Sequence, residues 1–334
     1  MTTIERVSRP YAASLVEFAR NRPEVYCLSA DLTNSVEIDH FKATFPDRFI
    51  SCGLSEQSMM SVAGGLAREG LLPLVHTFAV FVTRRPYDQI AMSIAYPNLR
   101  VRLMGFLPGL TTPGGVTHQA IDDVALMRIL PNMTVVDCGD ATEVETVLEA
   151  TADVDGPVYC RILRGSVPRL FREPLELGRA RVLEVGNDIC LISAGICTGE
   201  AMPAVAALRA KGVSLGHVHV STIKPFTDEA LLEAVGAARR GVITLENHLV
   251  TGGLGSSVAE LMAEQAIGTR LIRMGLRDTY AHGGSLPYLL DFYGLAARHV
   301  VSTVEQLTGE HFGIELTPVS GDERGPVAER AEAL

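Results

Sequence analysis

Hydrophobic and polar positions follow two rhythms along the chain. Short aliphatic and β-branched runs at 25–31, 71–78, 99–106, 133–138 and 157–163 are separated by stretches at 55–69, 87–94 and 142–153 whose apolar residues recur at helical spacing. Strands that are apolar on both faces, alternating with helices, predict a mostly parallel sheet covered by helices, and residues 1–165 form the first α/β domain on this reading. The pattern loosens over 166–186, where two prolines and mixed charges predict a linker. A second series then begins, with strands at 188–195, 213–221 and 241–247 and helices at 200–211, 228–238 and 255–264. It predicts a smaller α/β domain over 187–312. Residues 313–334 are polar, carry Pro and Gly and show no apolar period, as expected of a tail.

Composition narrows the function classes. With 334 residues, 47% hydrophobic and 20% charged, the chain can build two globular cores. It has no Trp, 6% aromatics and a formal net charge of −10, so it offers little for base stacking and repels a phosphate backbone; nucleic acid is not an expected partner. Cys27, Cys52, Cys138, Cys160, Cys190 and Cys197 form no C-x-x-C pair and several sit in apolar runs, which fits a reducing cytoplasm. The apolar stretch at 71–82 is interrupted by Pro73, His76 and Thr77 and is shorter than the ~20 residues that span a bilayer, so no membrane association is expected.

Two segments concentrate chemistry. In the first, residues 49–81, Ser55 stands where an N-cap belongs, Glu56 follows in the first turn, and Gly70 stands where the helix would end. Gly64 and Gly65 inside that helix cost about 1 kcal/mol each against Ala, which suggests close approach of another backbone. By residue type alone Glu56 reads equally as a dipole-stabilising acid, and Phe78 and Phe81 as core residues. The second segment, 105–123, is a long Gly/Pro-rich loop with His118 as its one titratable side chain before Asp122, a length more often functional than structural. His118 alone reads equally as a packing residue. His217 and His219 share a strand face without an evident third metal ligand, Arg84 and Arg85 read as solvated surface, and TGGLGSS lacks Walker spacing and reads as a turn into a helix.

Taken in order, SADLTNS, FPDRFISCGLSEQ, HTFAVFVTRRPYDQI, GGVTHQ and GPVYCRILRG resemble the pyrimidine-binding domain of transketolases, thiamine-diphosphate enzymes that move two-carbon ketol units. The segments TLENHLVTGGLGSSVAELMAE and GLRDTYAHGGSLPYLLDFYGL resemble the same family's C-terminal domain, and the likeness covers about residues 7 to 310. It implies that Glu56 bonds the ring nitrogen of the cofactor's aminopyrimidine. A carboxyl sharing a proton there favours the imino tautomer that serves as internal base at the thiazolium. It also implies that Phe78 and Phe81 wall the pyrimidine and that His118 contacts the reacting centre.

The resemblance further implies substrate contacts at Arg9, Ser35 and Arg164, together with His118, and a sugar phosphate as substrate. Phe106 stands where the family has a loop histidine, and Gly114 where an acidic residue usually precedes THQ. No GDG sequence occurs, so the resemblance implies that Mg²⁺ and the diphosphate are held by a separate N-terminal subunit, this chain supplying no metal ligand. The expected assembly is an α2β2 heterotetramer with sites between subunits. The alternative is a related thiamine-diphosphate subunit acting on a 2-oxo acid, like deoxyxylulose-phosphate synthase or the β subunit of a 2-oxo acid dehydrogenase.

Overall fold

The computed structural model describes residues 4–316; the part of the expected tail from residue 317 onward lies outside them. Seven strands form the first sheet, in the order 222–224, 134–137, 158–162, 102–106, 72–78, 25–29, 49–51, all parallel except the antiparallel edge strand Thr222–Lys224. Leu72–Phe78, Arg102–Phe106 and Val158–Ile162 are buried along their whole length, which is why apolar residues predominate in them on both faces. A second sheet has the order 271–276, 241–249, 189–193, 215–219, 181–184, again parallel with an antiparallel edge. Both sheets carry helices on their faces. The described residues contain no helix long and apolar enough to cross a membrane.

Residues 166–186, expected as a linker, also supply two strands. Ser166–Pro168 pairs antiparallel with Arg6–Ser8, and Arg181–Glu184 forms the edge of the second sheet. The small ribbon has a consequence for the site: it pins the start of the chain to the exit from the first sheet, and the Arg9 N–H donates to the Gly165 carbonyl at 2.7 Å. Strand Thr222–Lys224 crosses in the other direction, leaving the second series to join the first sheet.

Helix Glu56–Arg68 explains its paired glycines separately. A Cβ on Gly64 would lie 2.5 Å from the Ser93 carbonyl oxygen, whereas one on Gly65 would meet nothing within 4 Å. Gly64→Ala should therefore cost about 1–3 kcal/mol through overpacking against backbone. Gly65→Ala, on an exposed helical position, should gain about 0.5–1 kcal/mol. Denaturant unfolding of the two variants checks this, and equal effects would refute the close approach. Ser55 precedes the helix as expected, but its hydroxyl makes no cap bond; Gly70, with φ of 85°, takes the left-handed position after it.

One ionic cluster ties the two sheets together. Arg161, fully buried on the strand Val158–Ile162, donates to Asp123 at 2.5 and 2.8 Å, to Asp137 at 3.2 Å, and to the carbonyls of Ala120 and Asn247. Burial would pull this guanidinium's pKa down, but Asp123 and Asp137 push it well above the usual value. Asp123 is held below the usual carboxylate range despite its burial, because Arg161 faces it, while burial leaves Asp137 raised.

Candidate active site

In the first sheet, Ser29, Phe78, Phe106 and Ile162 end four adjacent parallel strands on one edge. Open parallel sheets bind ligands outside the carboxyl ends of their strands. Arg9, Ser35, Glu56, Phe78, Phe81, His118 and Arg164 all lie on or just beyond this edge, and the structure groups them in two adjoining parts.

The first part is aromatic. The strand Leu72–Phe78 runs directly into the helix Ala79–Arg84, so the i, i+3 pair Phe78 and Phe81 stands ring to ring, with centroids 5.7 Å apart and planes 32° from parallel. Phe78 is buried and Phe81 half-buried. His118 sits edge-on to both, 6.3 Å from Phe78 and 5.4 Å from Phe81. Its Nδ1 is paired with the Thr117 hydroxyl at 2.8 Å, leaving Nε2 for a ligand. Gly114 packs under this histidine, where a Cβ would come within 3.1 Å of the His118 side chain. An acidic side chain there would push the loop outward, which gives the glycine a steric reason.

Glu56 begins its helix with the carboxyl buried, 5% exposed. Arg85, expected on the solvated surface, instead donates from Nη1 to Glu56 Oε1 at 2.6 Å and lies over the Phe81 ring at 3.9 Å. That guanidinium is a flat, nitrogen-bearing group stacked on Phe81 and bonded to Glu56 at once. A planar nitrogen heterocycle can make the same two contacts, an aromatic face for its plane and a carboxylate for a ring nitrogen. Arg84 is also engaged: it grips Asp122 with contacts of 2.9 and 3.0 Å and so anchors the far end of the loop that carries His118.

The second part is a cavity of about 460 Å³ whose walls include Arg9, Ser35 and Arg164. Arg9 precedes the helix Pro10–Arg20 in a left-handed conformation, φ 51°, and forms an ion pair with Asp39. Arg164 donates to the Ser35 carbonyl at 2.8 Å, and burial lowers its pKa. Its guanidinium carbon is 5.8 Å from the Phe78 ring, so Phe78 separates the two parts. Phe106 faces neither: it is fully buried and packs edge-on against Tyr11 with centroids 5.3 Å apart, so it adds no polar contact.

Two residues of this region are not singled out by the sequence: Glu37 is buried in the cavity wall and Asp39 pairs with Arg9, while Arg85, expected at the solvated surface, holds Glu56. No spacing signal marks them. His217 and His219 are absorbed in packing, bonded to Ser193, Thr198 and Glu143, and TGGLGSS leads into the helix Leu254–Glu264, whose first N–H groups are taken by the buried Glu246 carboxylate at 2.7 and 2.9 Å. Those amides are therefore not open to a phosphate. Among the described residues no group of three His, Cys, Asp or Glu side chains is placed to hold a metal ion.

Comparison with known proteins adds the following. The pyrimidine binding domain of transketolase matches residues 8–169, and the transketolase C-terminal domain matches residues 178–300. A transketolase family protein of Sinorhizobium fredii is 41% identical over 305 residues, covering 90% of this chain and 88% of its own. The 6-deoxy-6-sulfo-D-fructose transketolase subunit of a Clostridium species is 36% identical over 89% of this chain and 93% of its own. A solved structure described as a split gene transketolase, inactive beta4 tetramer, superposes with a TM-score of 0.82 at 38% identity, covering 90% of this chain and 97% of the other.

Proposed function

The chain belongs to the transketolase family, and we propose that it is the subunit supplying the pyrimidine side of a thiamine-diphosphate site in a two-chain transketolase that moves a two-carbon ketol unit from a ketose to an aldose. The observation that carries this reading is the buried Glu56 carboxylate, satisfied by the flat nitrogen donor Arg85, which lies over the Phe81 ring that pairs with Phe78. Thiamine diphosphate, when bound, supplies a nucleophilic thiazolium carbon. Glu56 holds a proton against the pyrimidine ring nitrogen, Phe78 and Phe81 fix the ring plane and exclude water, and Arg85 gives up its place on Phe81 to the ring. His118 Nε2 donates to oxygen at the reacting centre, and Arg9, Ser35 and Arg164 take the anionic far end of the substrate.

The site is completed by a second chain. The related proteins described as a subunit and as a split gene product support this, and the inactive beta4 assembly of one of them fits a subunit that needs its partner for turnover. Leu54, two residues ahead of Glu56, is 73% exposed, as suits a site closed from outside. Mg²⁺ and the diphosphate are assigned to the partner, the assembly to an α2β2 heterotetramer, and the six free cysteines to a cytoplasmic setting.

Donor use tests the reaction class. Mixed with its partner subunit, thiamine diphosphate and Mg²⁺, the chain should consume a ketose only when an aldose acceptor is present. Release of CO₂ from pyruvate under the same conditions would point instead to the 2-oxo acid chemistry.

A further inference from the structure

The cavity that holds Arg9 and Arg164 also contains an acid with half of its hydrogen-bonding capacity unused. Glu37 is 3% exposed and lines the wall between the two arginines and the loop that follows the strand Val25–Ser29. Its Oε1 accepts the Gly165 N–H at 2.6 Å. Its Oε2 is buried and has no hydrogen-bond partner among the described residues. A buried carboxylate oxygen without a partner carries a large desolvation cost, and a ligand that donates to it recovers that cost.

The charges around it limit what that ligand can be. Arg9 is paired with Asp39. Arg164 makes no ion pair among the described residues and spends one N–H on the Ser35 carbonyl. Arg6, at the cavity rim, is exposed and bonded to Ser166. Against these stands Glu37 itself, whose carboxyl pKa is raised by burial although Gly165, Arg9 and Arg164 pull it down. One half-buried guanidinium without a salt bridge, beside one buried acid, suits a single negative charge. A phosphate monoester, with close to two charges at neutral pH, meets repulsion from Glu37.

We propose that Glu37 sets the substrate class of this cavity, selecting a far end that carries a hydroxyl beside a single negative charge and disfavouring a dianionic phosphate. The hydroxyl donates to Glu37 Oε2 and the charged group faces Arg164. The inference rests on the reading of this cavity as the pocket for the far end of the substrate, and it narrows that end from an anion in general to a hydroxylated monoanion.

Arg9, Ser35, Glu37 and Arg164 all belong to this chain, and the full chain assembled with its partner subunit serves for the test. Binding of 2-hydroxyethanesulfonate, ethanesulfonate and 2-hydroxyethyl phosphate is measured by ligand-observed NMR titration at pH 8, for the wild type, Glu37→Gln and Arg164→Gln, each checked for folding by its melting temperature. The wild type should bind 2-hydroxyethanesulfonate at least tenfold more tightly than 2-hydroxyethyl phosphate and severalfold more tightly than ethanesulfonate. Glu37→Gln should close the gap between sulfonate and phosphate by raising phosphate affinity, and Arg164→Gln should weaken all three. A wild type that prefers the phosphate, or a Glu37→Gln variant with the wild-type order of affinities, overturns the role of Glu37 while leaving the pocket assignment intact. Failure of the wild type to bind any of the three removes the pocket assignment and the inference with it.

Discussion

Replacing Glu56 with Gln is expected to lower turnover of the assembled enzyme by roughly 10²–10⁴-fold, the range associated with loss of a positioned acid–base group, while leaving the fold unchanged. The amide keeps the size of the side chain and an oxygen that can accept from Arg85, so the 2.6 Å contact has a substitute and the helix Glu56–Arg68 keeps its start. What the amide lacks is a group that can share a proton with a ring nitrogen. The deficit should therefore fall on kcat rather than on the melting temperature of the subunit. Turnover near the wild-type level in the Gln variant would remove Glu56 from the proton path, and with it the reason for placing the pyrimidine against Phe81.

The second large effect concerns architecture. Arg161→Met should cost about 3–5 kcal/mol, because it leaves Asp123 and Asp137 buried without their cation. The loss is not confined to one ion pair: the same guanidinium donates to the Ala120 carbonyl at the end of the His118 loop and to the Asn247 carbonyl in the second sheet. In a chain of this size such a loss lowers the melting temperature by about 4–7 °C. A triple variant that also carries Asp123→Asn and Asp137→Asn should regain part of the stability, since the penalty lies in the unpaired acids more than in the missing arginine. A single variant within about 1 kcal/mol of wild type would mean that water reaches this cluster.

Much of the site could be read from the chain because it is built on features with a linear signature. A helix start directly after a strand and a short loop drew attention to Glu56, and a loop too long to be a simple connection drew attention to His118, but the pattern left both, and the pair Phe78 and Phe81, open between packing and function until the family resemblance assigned them roles. Arg9, Ser35 and Arg164 required the family resemblance, because the structure brings them together through a pairing between residues 6–8 and 166–168 that no local pattern announces.

Other features left no such trace. Arg85 looks like any basic residue at a helix end until its contacts with Phe81 and Glu56 are seen. Arg161 lies within an apolar strand run, where pattern reading sees only the strand. Glu37 is buried and has a left-handed backbone, φ 58°, at a residue type that seldom adopts it, and neither is announced by the local sequence. The helix Pro10–Arg20 has proline at its first position but no Ser, Thr, Asp or Asn cap, so its start is marked only weakly.

The central claim is that this chain holds half of an active site. Its most direct test is turnover of a ketose and an aldose acceptor, with thiamine diphosphate and Mg²⁺ present, by the purified chain alone and again after addition of the subunit that carries the diphosphate side. The account predicts no turnover from the chain alone and its appearance on mixing, rising to a plateau near a one-to-one ratio. Full activity from the chain by itself would contradict it.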